Sequence, residues 1–265
     1  MFKRLIKLIE RPFVYFPERA LRGTPSHVGL EFEDLWLTAM DGVRVNAWWI
    51  PGPSAVTLML FHGNGGNISA RLDGLLQLNR RLGVSLLATE YRGYGLSEGV
   101  PTEQGTYLDA LAAREWVTSR AKGPIVYFGI SMGGAVAAWL ATRQKPDALV
   151  LESAPSSLPD VAHIHVPWTR LLPTNRIMQT RYETSRYVST LTCPLLVVHG
   201  DADKAVPMPF GQRVFASAKG AKEFHAIPGG GHDRPDLVDE DSYYGVLRRF
   251  LECYAGLGSP VNGSS

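Results

Sequence analysis

The sequence predicts an α/β fold, a mostly parallel sheet with helices on both faces, and three observations carry that expectation. Apolar runs of β character alternate with helix-like stretches along most of the chain. Those runs are apolar through their length, as strands covered on both faces are. The chain of 265 residues, 45% hydrophobic and 20% charged, is long enough for one undivided domain of this class.

The first element is basic. Residues 1–22 hold Lys3, Arg4, Lys7, Arg11, Arg19 and Arg22 against Glu10 and Glu18, although the whole chain carries a net charge of only +2. Within "MFKRLIKLIERPF", Phe2, Leu5, Ile6 and Ile9 share one helical face. Two readings fit that pattern: a peripheral membrane contact through residues 1–16, or a short helix packed on its own domain. No apolar run approaches the roughly 18 residues that span a bilayer, and no cleavable leader pattern is present, so a cytoplasmic location is expected.

Next, "LEFEDLWLT" and "VRVNAWWIP" flank Asp41 and Gly42, which predicts a hairpin. Strand-like "VTLMLFHG", "VSLLATEY", "PIVYFG", "DALVLES", "PLLVVHG" and "KEFHAIPG" then alternate with helix-like stretches that end in "SYYGVLRRFLECYA". Residues 154–190, with scattered Pro, Arg and aromatics, break the rhythm and are expected to form an insertion over one end of the sheet. The expected organisation is an N-terminal segment at 1–22, a domain over 23–255 and a flexible Gly/Ser-rich tail at 256–265.

The small net charge gives no reason to expect a nucleic-acid partner. Cys193 and Cys253 have neither CxxC nor Cys/His ligand spacing, and the "HIH" of His163 and His165 lacks a nearby third ligand. No disulfide framework and no metal site are expected.

Two stretches match GxSxG: Gly129, Ser131 and Gly133 in "YFGISMGGAV", and Gly95, Ser97 and Gly99 in "GYGLSEGV". A serine nucleophile needs a strand that stops abruptly and a helix that starts at once, with glycines where backbones crowd. "PIVYF" runs into Ser131 and "MGGAVAAWLA" leaves it, whereas Ser97 is separated from its strand by "YRGYG" and followed by a proline. Ser131 is therefore the candidate nucleophile and Ser97 a loop residue.

A serine hydroxyl also needs a histidine base, and the base needs a carboxylate to fix its tautomer. "PLLVVHG" is followed by Asp201 and Asp203, which residue chemistry alone does not separate, and a glycine-rich loop delivers His232. His199 and His225 have no such loop. For the oxyanion, the amide after the nucleophile, on Met132, and one from "FHGNGGN", on Asn64, are the expected donors. His62 reads as a structural orienter.

Gly200, Asp203, Val206 and Pro207, with Gly229, Gly230, Gly231 and His232, resemble the acid and base patterns of the α/β-hydrolase superfamily. That resemblance selects Asp203 over Asp201. With "YFPER", "DGVRVNAWW", "FHGNGGN", "YRGYGLSEG" and "GISMGG" it extends over nearly the whole chain and resembles the BEM46-like branch. Members generally carry Asp before "YRGYG", where this chain has Glu90. The resemblance implies an eight-stranded sheet with one antiparallel strand, a cap, no cofactor, and hydrolysis of esters or thioesters.

The expected function is a serine carboxylesterase acting on a small-molecule ester of short to medium acyl chain. Two alternatives are an acyl-thioesterase or amidase working on acylated proteins or lipids, and a membrane-associated binding protein without turnover. Trp168, Leu171, Leu172, Ile177 and Met178 are the candidate acyl-pocket residues, with a small core of the cap itself as the competing reading.

Overall fold

The computed structural model describes residues 2–165 and 174–258. Its centre is an eight-stranded sheet: β1 (Glu33–Thr38), β2 (Arg44–Ile50), β3 (Thr57–Phe61), β4 (Ser85–Thr89), β5 (Ile125–Ile130), β6 (Ala148–Glu152), β7 (Leu195–Gly200) and β8 (Lys222–Ile227). The spatial order is β8-β7-β6-β5-β3-β4-β2-β1, and β2 alone runs antiparallel to its neighbours β1 and β4. Strands β3 to β7 are buried at almost every position, which explains why they read as continuous apolar runs. The hairpin turns at Met40, Asp41 and Gly42, with Gly42 at φ +82°, a conformation that favours glycine.

Nine helices fall within the described residues: α1 (Phe2–Val14), α2 (Leu72–Leu82), α3 (Glu103–Arg120), α4 (Met132–Arg143), α5 (Leu158–His165), α6 (Thr174–Ile177), α7 (Thr184–Val188), α8 (Met208–Ser217) and α9 (Glu240–Ala255). Helices α3, α4 and α8 cover one face of the sheet, α2 and α9 the other, and each side closes its own apolar core. Side chains of α4 are buried on almost every side, consistent with its run of small and apolar residues. Thr102 Oγ caps α3 by accepting from Gly105 N at 3.0 Å, and Asp239 caps α9 by accepting from Ser242 N at 3.0 Å.

Helices α5, α6 and α7 lie in the interval between β6 and β7, where the sequence rhythm fails. The N-terminal segment forms a helix, as one face of its pattern requires, but Ile9 and Phe13 at its end stay exposed. No helix among the described residues is long and apolar enough to cross a membrane. After α1, Phe16–Pro17 pairs in parallel with Gly65–Gly66, which ties the start of the chain to the loop after β3.

Candidate active site

β5 ends at Ile130 and α4 begins at Met132, so Ser131 alone makes the turn between them. It holds φ 53° and ψ −121°, where a residue with a Cβ is strained. Its N–H donates to Glu152 O at 2.8 Å and its carbonyl accepts from Gly134 N at 2.9 Å. A Cβ on Gly133 would collide with the backbone oxygen of Phe61, and one on Gly129 with the backbone of Gly133 and Gly134. The two flanking glycines of the motif are thus required by close backbone packing, and the serine is pushed up at the carboxyl edge of the sheet.

His232, in the loop after β8, places Nε2 3.1 Å from Ser131 Oγ and Nδ1 2.7 Å from Asp203 Oδ2. Nδ1–H donates to the carboxylate, which leaves Nε2 free to accept the serine proton. Asp203 is itself fixed, since Oδ1 accepts from Ala205 N at 2.9 Å and Val206 N at 2.8 Å. Burial opposes the charge of Asp203, but hydrogen bonds from His199 and His232 and from the Val206 amide outweigh it and hold the carboxyl well below its usual range. Burial likewise pushes His232 down, and the bonded Asp203 more than offsets this, so the imidazole ends above its ordinary value.

Asp201 does something else: its Oδ1 accepts from Gly229 N at 2.7 Å and braces the loop that carries His232. Ser97 is fully buried, and its Oγ accepts from Asn46 N at 2.9 Å, which holds it as a loop anchor. His62 is buried between Glu90 Oε1, at 2.6 Å, and Gly63 O, at 2.7 Å. Glu90 also accepts from Ile68 N and Tyr91 N, so with His62 it meets three donors, two of them in the chain that follows β3. His199 bonds Val206 O at 2.7 Å and His225 lies 3.1 Å from Ser242 Oγ.

Of the two expected oxyanion donors, Met132 follows the serine in the chain and Asn64 lies in the loop after β3. Met132 N–H opens α4 and has no intrahelical acceptor by position, at the positive end of the helix dipole. The Asn64 side chain is committed elsewhere, donating to Val14 O at 2.8 Å, and its carbonyl accepts from Phe16 N and from the Tyr94 hydroxyl. Its backbone N–H, which has no acceptor among the described residues, is therefore the group available to an oxyanion.

A cavity of about 480 Å³ opens beside Ser131 and His232. It runs toward α2 and α9, between Arg71, Leu75, Glu152 and Tyr243. Ile177 is exposed and Met178 half-buried, and neither lines this cavity; Trp168, Leu171 and Leu172 lie outside the described residues. The sequence reading missed Arg71, Glu152 and Tyr243 as cavity residues. Glu152 did carry a signal, an acid ending the apolar strand "ALVLE", beside Ile130 in the sheet register. Burial pushes its carboxyl up to about 7, and the Tyr243 hydroxyl donates to it. Among the described residues no group of three or more His, Cys, Asp or Glu side chains is arranged to hold a metal ion.

The model of the serine aminopeptidase S33 family matches residues 52–189. The α/β hydrolase domain-containing protein WAV2 of Arabidopsis thaliana is 32% identical, across 95% of this chain and 90% of its own. Protein bem46 of Schizosaccharomyces pombe is 29% identical, across 86% of this chain and 79% of its own. Among solved structures, the esterase Pf2001 of Pyrococcus furiosus superposes with a TM-score of 0.77 at 22% identity, covering 92% of this chain and 99% of that one. By these matches the chain belongs to this family of α/β hydrolases, in its BEM46-like branch.

Proposed function

We propose that the protein is a serine esterase that cleaves a carboxylic ester through an acyl-enzyme. The observation that carries this reading is the unbroken hydrogen-bonded line from Ser131 Oγ through His232 to Asp203, with the serine on a strained turn at a helix start. His232 Nε2 takes the serine proton as Oγ attacks the acyl carbon, and Asp203 stabilises the imidazolium that forms. The oxyanion faces the Asn64 and Met132 amides, and a donor of this kind contributes on the order of 3 kcal/mol. His232 returns the proton to the leaving alcohol, then activates water to release the acid.

Ester chemistry draws support from solved esterases of similar fold, Pf2001 among them. An amide reading draws on the family description, which names an aminopeptidase. Rates on a matched p-nitrophenyl ester, thioester and p-nitroanilide separate the readings, and the ester is expected to be fastest. Ser131→Ala is expected to abolish hydrolysis and fluorophosphonate labelling, while Ser97→Ala stays labelled. Labelling of Ser131→Ala at the wild-type level would refute the assignment.

A further inference from the structure

Among the described residues, seven charged side chains other than His232 line the cavity beside Ser131, and their pairing is uneven. Arg22 bonds Glu18 at 3.1 Å. Arg234 meets both oxygens of Asp236 at 2.9 Å and approaches Asp73 at 3.8 Å. Asp233 is exposed at the rim. Arg71 has no ion pair among the described residues: Nη2 makes a single long contact of 3.4 Å with Gly65 O, and Nε is buried without an acceptor. The remaining acid, Glu152, is engaged by the Tyr243 hydroxyl and, with its carboxyl pushed up to about 7, is a partial counter-charge at neutral pH.

A guanidinium left short of acceptors in a recess is costly, and its planar fork of donors matches a carboxylate or a phosphate. Its place relative to the chemistry is set by Gly63, where a Cβ would stand 3.4 Å from Ser131 Cβ and 3.9 Å from Arg71 Nη2. The nucleophile and the guanidinium flank the same glycine. An ester whose acyl carbon sits at Ser131 Oγ can therefore reach Arg71 with a group only a few bonds away. We infer that Arg71 is a specificity-determining residue that receives an anionic group, carboxylate or phosphate, carried by the substrate near its scissile carbonyl. This rests on the esterase reading above and narrows it to anionic esters.

The test compares p-nitrophenyl hemisuccinate with neutral p-nitrophenyl butyrate. Wild-type kcat/KM is expected to favour the anionic ester by roughly tenfold or more, the scale of a hydrogen bond to a charged group. Arg71→Met is expected to erase that ratio chiefly through KM, and Arg71→Lys to keep part of it. Competition by succinate and by inorganic phosphate tells which anion is preferred. Calorimetry on Ser131→Ala with monomethyl and dimethyl succinate reads the same preference without turnover. If no ester is hydrolysed, the esterase reading fails while the calorimetry still decides on Arg71. Absence of any anionic preference in the wild-type kinetics and in the calorimetry overturns the inference, and so does an equal loss on both esters in Arg71→Met, which would place Arg71 in the fold or the oxyanion site.

Discussion

His232 is raised because the bonded Asp203 outweighs burial. A general base must be neutral, so kcat/KM is expected to climb as pH rises through a midpoint above the ordinary histidine value near 6.5. Asp203→Asn removes the offsetting charge, burial then dominates, and the midpoint is expected to move to lower pH. The rate should also fall by roughly four orders of magnitude, the loss seen when a triad acid is neutralised. A pH–rate profile checks both, and an unmoved midpoint would show that Asp203 does not set the base. Asp201→Asn is expected to leave the midpoint in place, because that carboxylate braces Gly229 and does not touch the imidazole. Gly133→Ala belongs to the same scale: its Cβ would meet the rigid backbone oxygen of Phe61, so loss of fold or of activity is expected from one methyl group.

Two carboxylates that the sequence presents as ordinary surface acids tie the segment between α6 and α7 to the N-terminal helix and to α3. Glu10, on α1, accepts from Gln179 N and Thr180 N, each at 2.9 Å. Glu103, at the start of α3, accepts from Arg181 N at 2.7 Å and from Tyr182 N and the Tyr107 hydroxyl at 2.8 Å. Four consecutive amides are thus held by two side chains from distant elements. Hydrogen bonds to a charged group contribute about 1.5–3 kcal/mol each, so Glu103→Ala is expected to loosen this segment markedly. Faster limited proteolysis between α6 and α7 checks it, and an unchanged cleavage rate would count against the clamp. Neither this clamp nor the pairing of Phe16–Pro17 with Gly65–Gly66 was legible in the sequence, because both rest on backbone amides that leave no residue pattern. The strands β3 to β7, the Ser131 turn and the Asp203 and His232 loops were legible, because burial on two faces and close backbone approach restrict which residues fit. The position of the cavity was not, since it depends on how α2 and α9 pack against the end of β6, and Glu152 and Tyr243 are far apart in the chain.

At the scale of the whole molecule, burying Glu152 beneath the serine turn makes global stability depend on pH. Burial raises its carboxyl to about 7 from an ordinary value of 4.5, against the lowering effect of the Tyr243 hydroxyl and of nearby Arg71 and His232. Between those two values the folded protein keeps a proton that the unfolded chain has released. The native state therefore binds more protons, and stability falls as pH rises through this window. At 1.36 kcal/mol per unit the loss is on the order of 3 kcal/mol, full once the pH passes the folded value and absent below the unfolded one. Glu152→Gln keeps the volume and offers Tyr243 an acceptor, but it has no proton to lose. Urea unfolding at pH 5 and pH 8 is expected to show the variant gaining on the wild type at the higher pH, with contributions from other titrating groups largely cancelling in the difference. Parallel stabilities at both pH values would mean that Glu152 is ionised at little cost in the folded protein. It would then serve as a full counter-charge to Arg71, and the partial pairing attributed to that guanidinium would have to be revised with it.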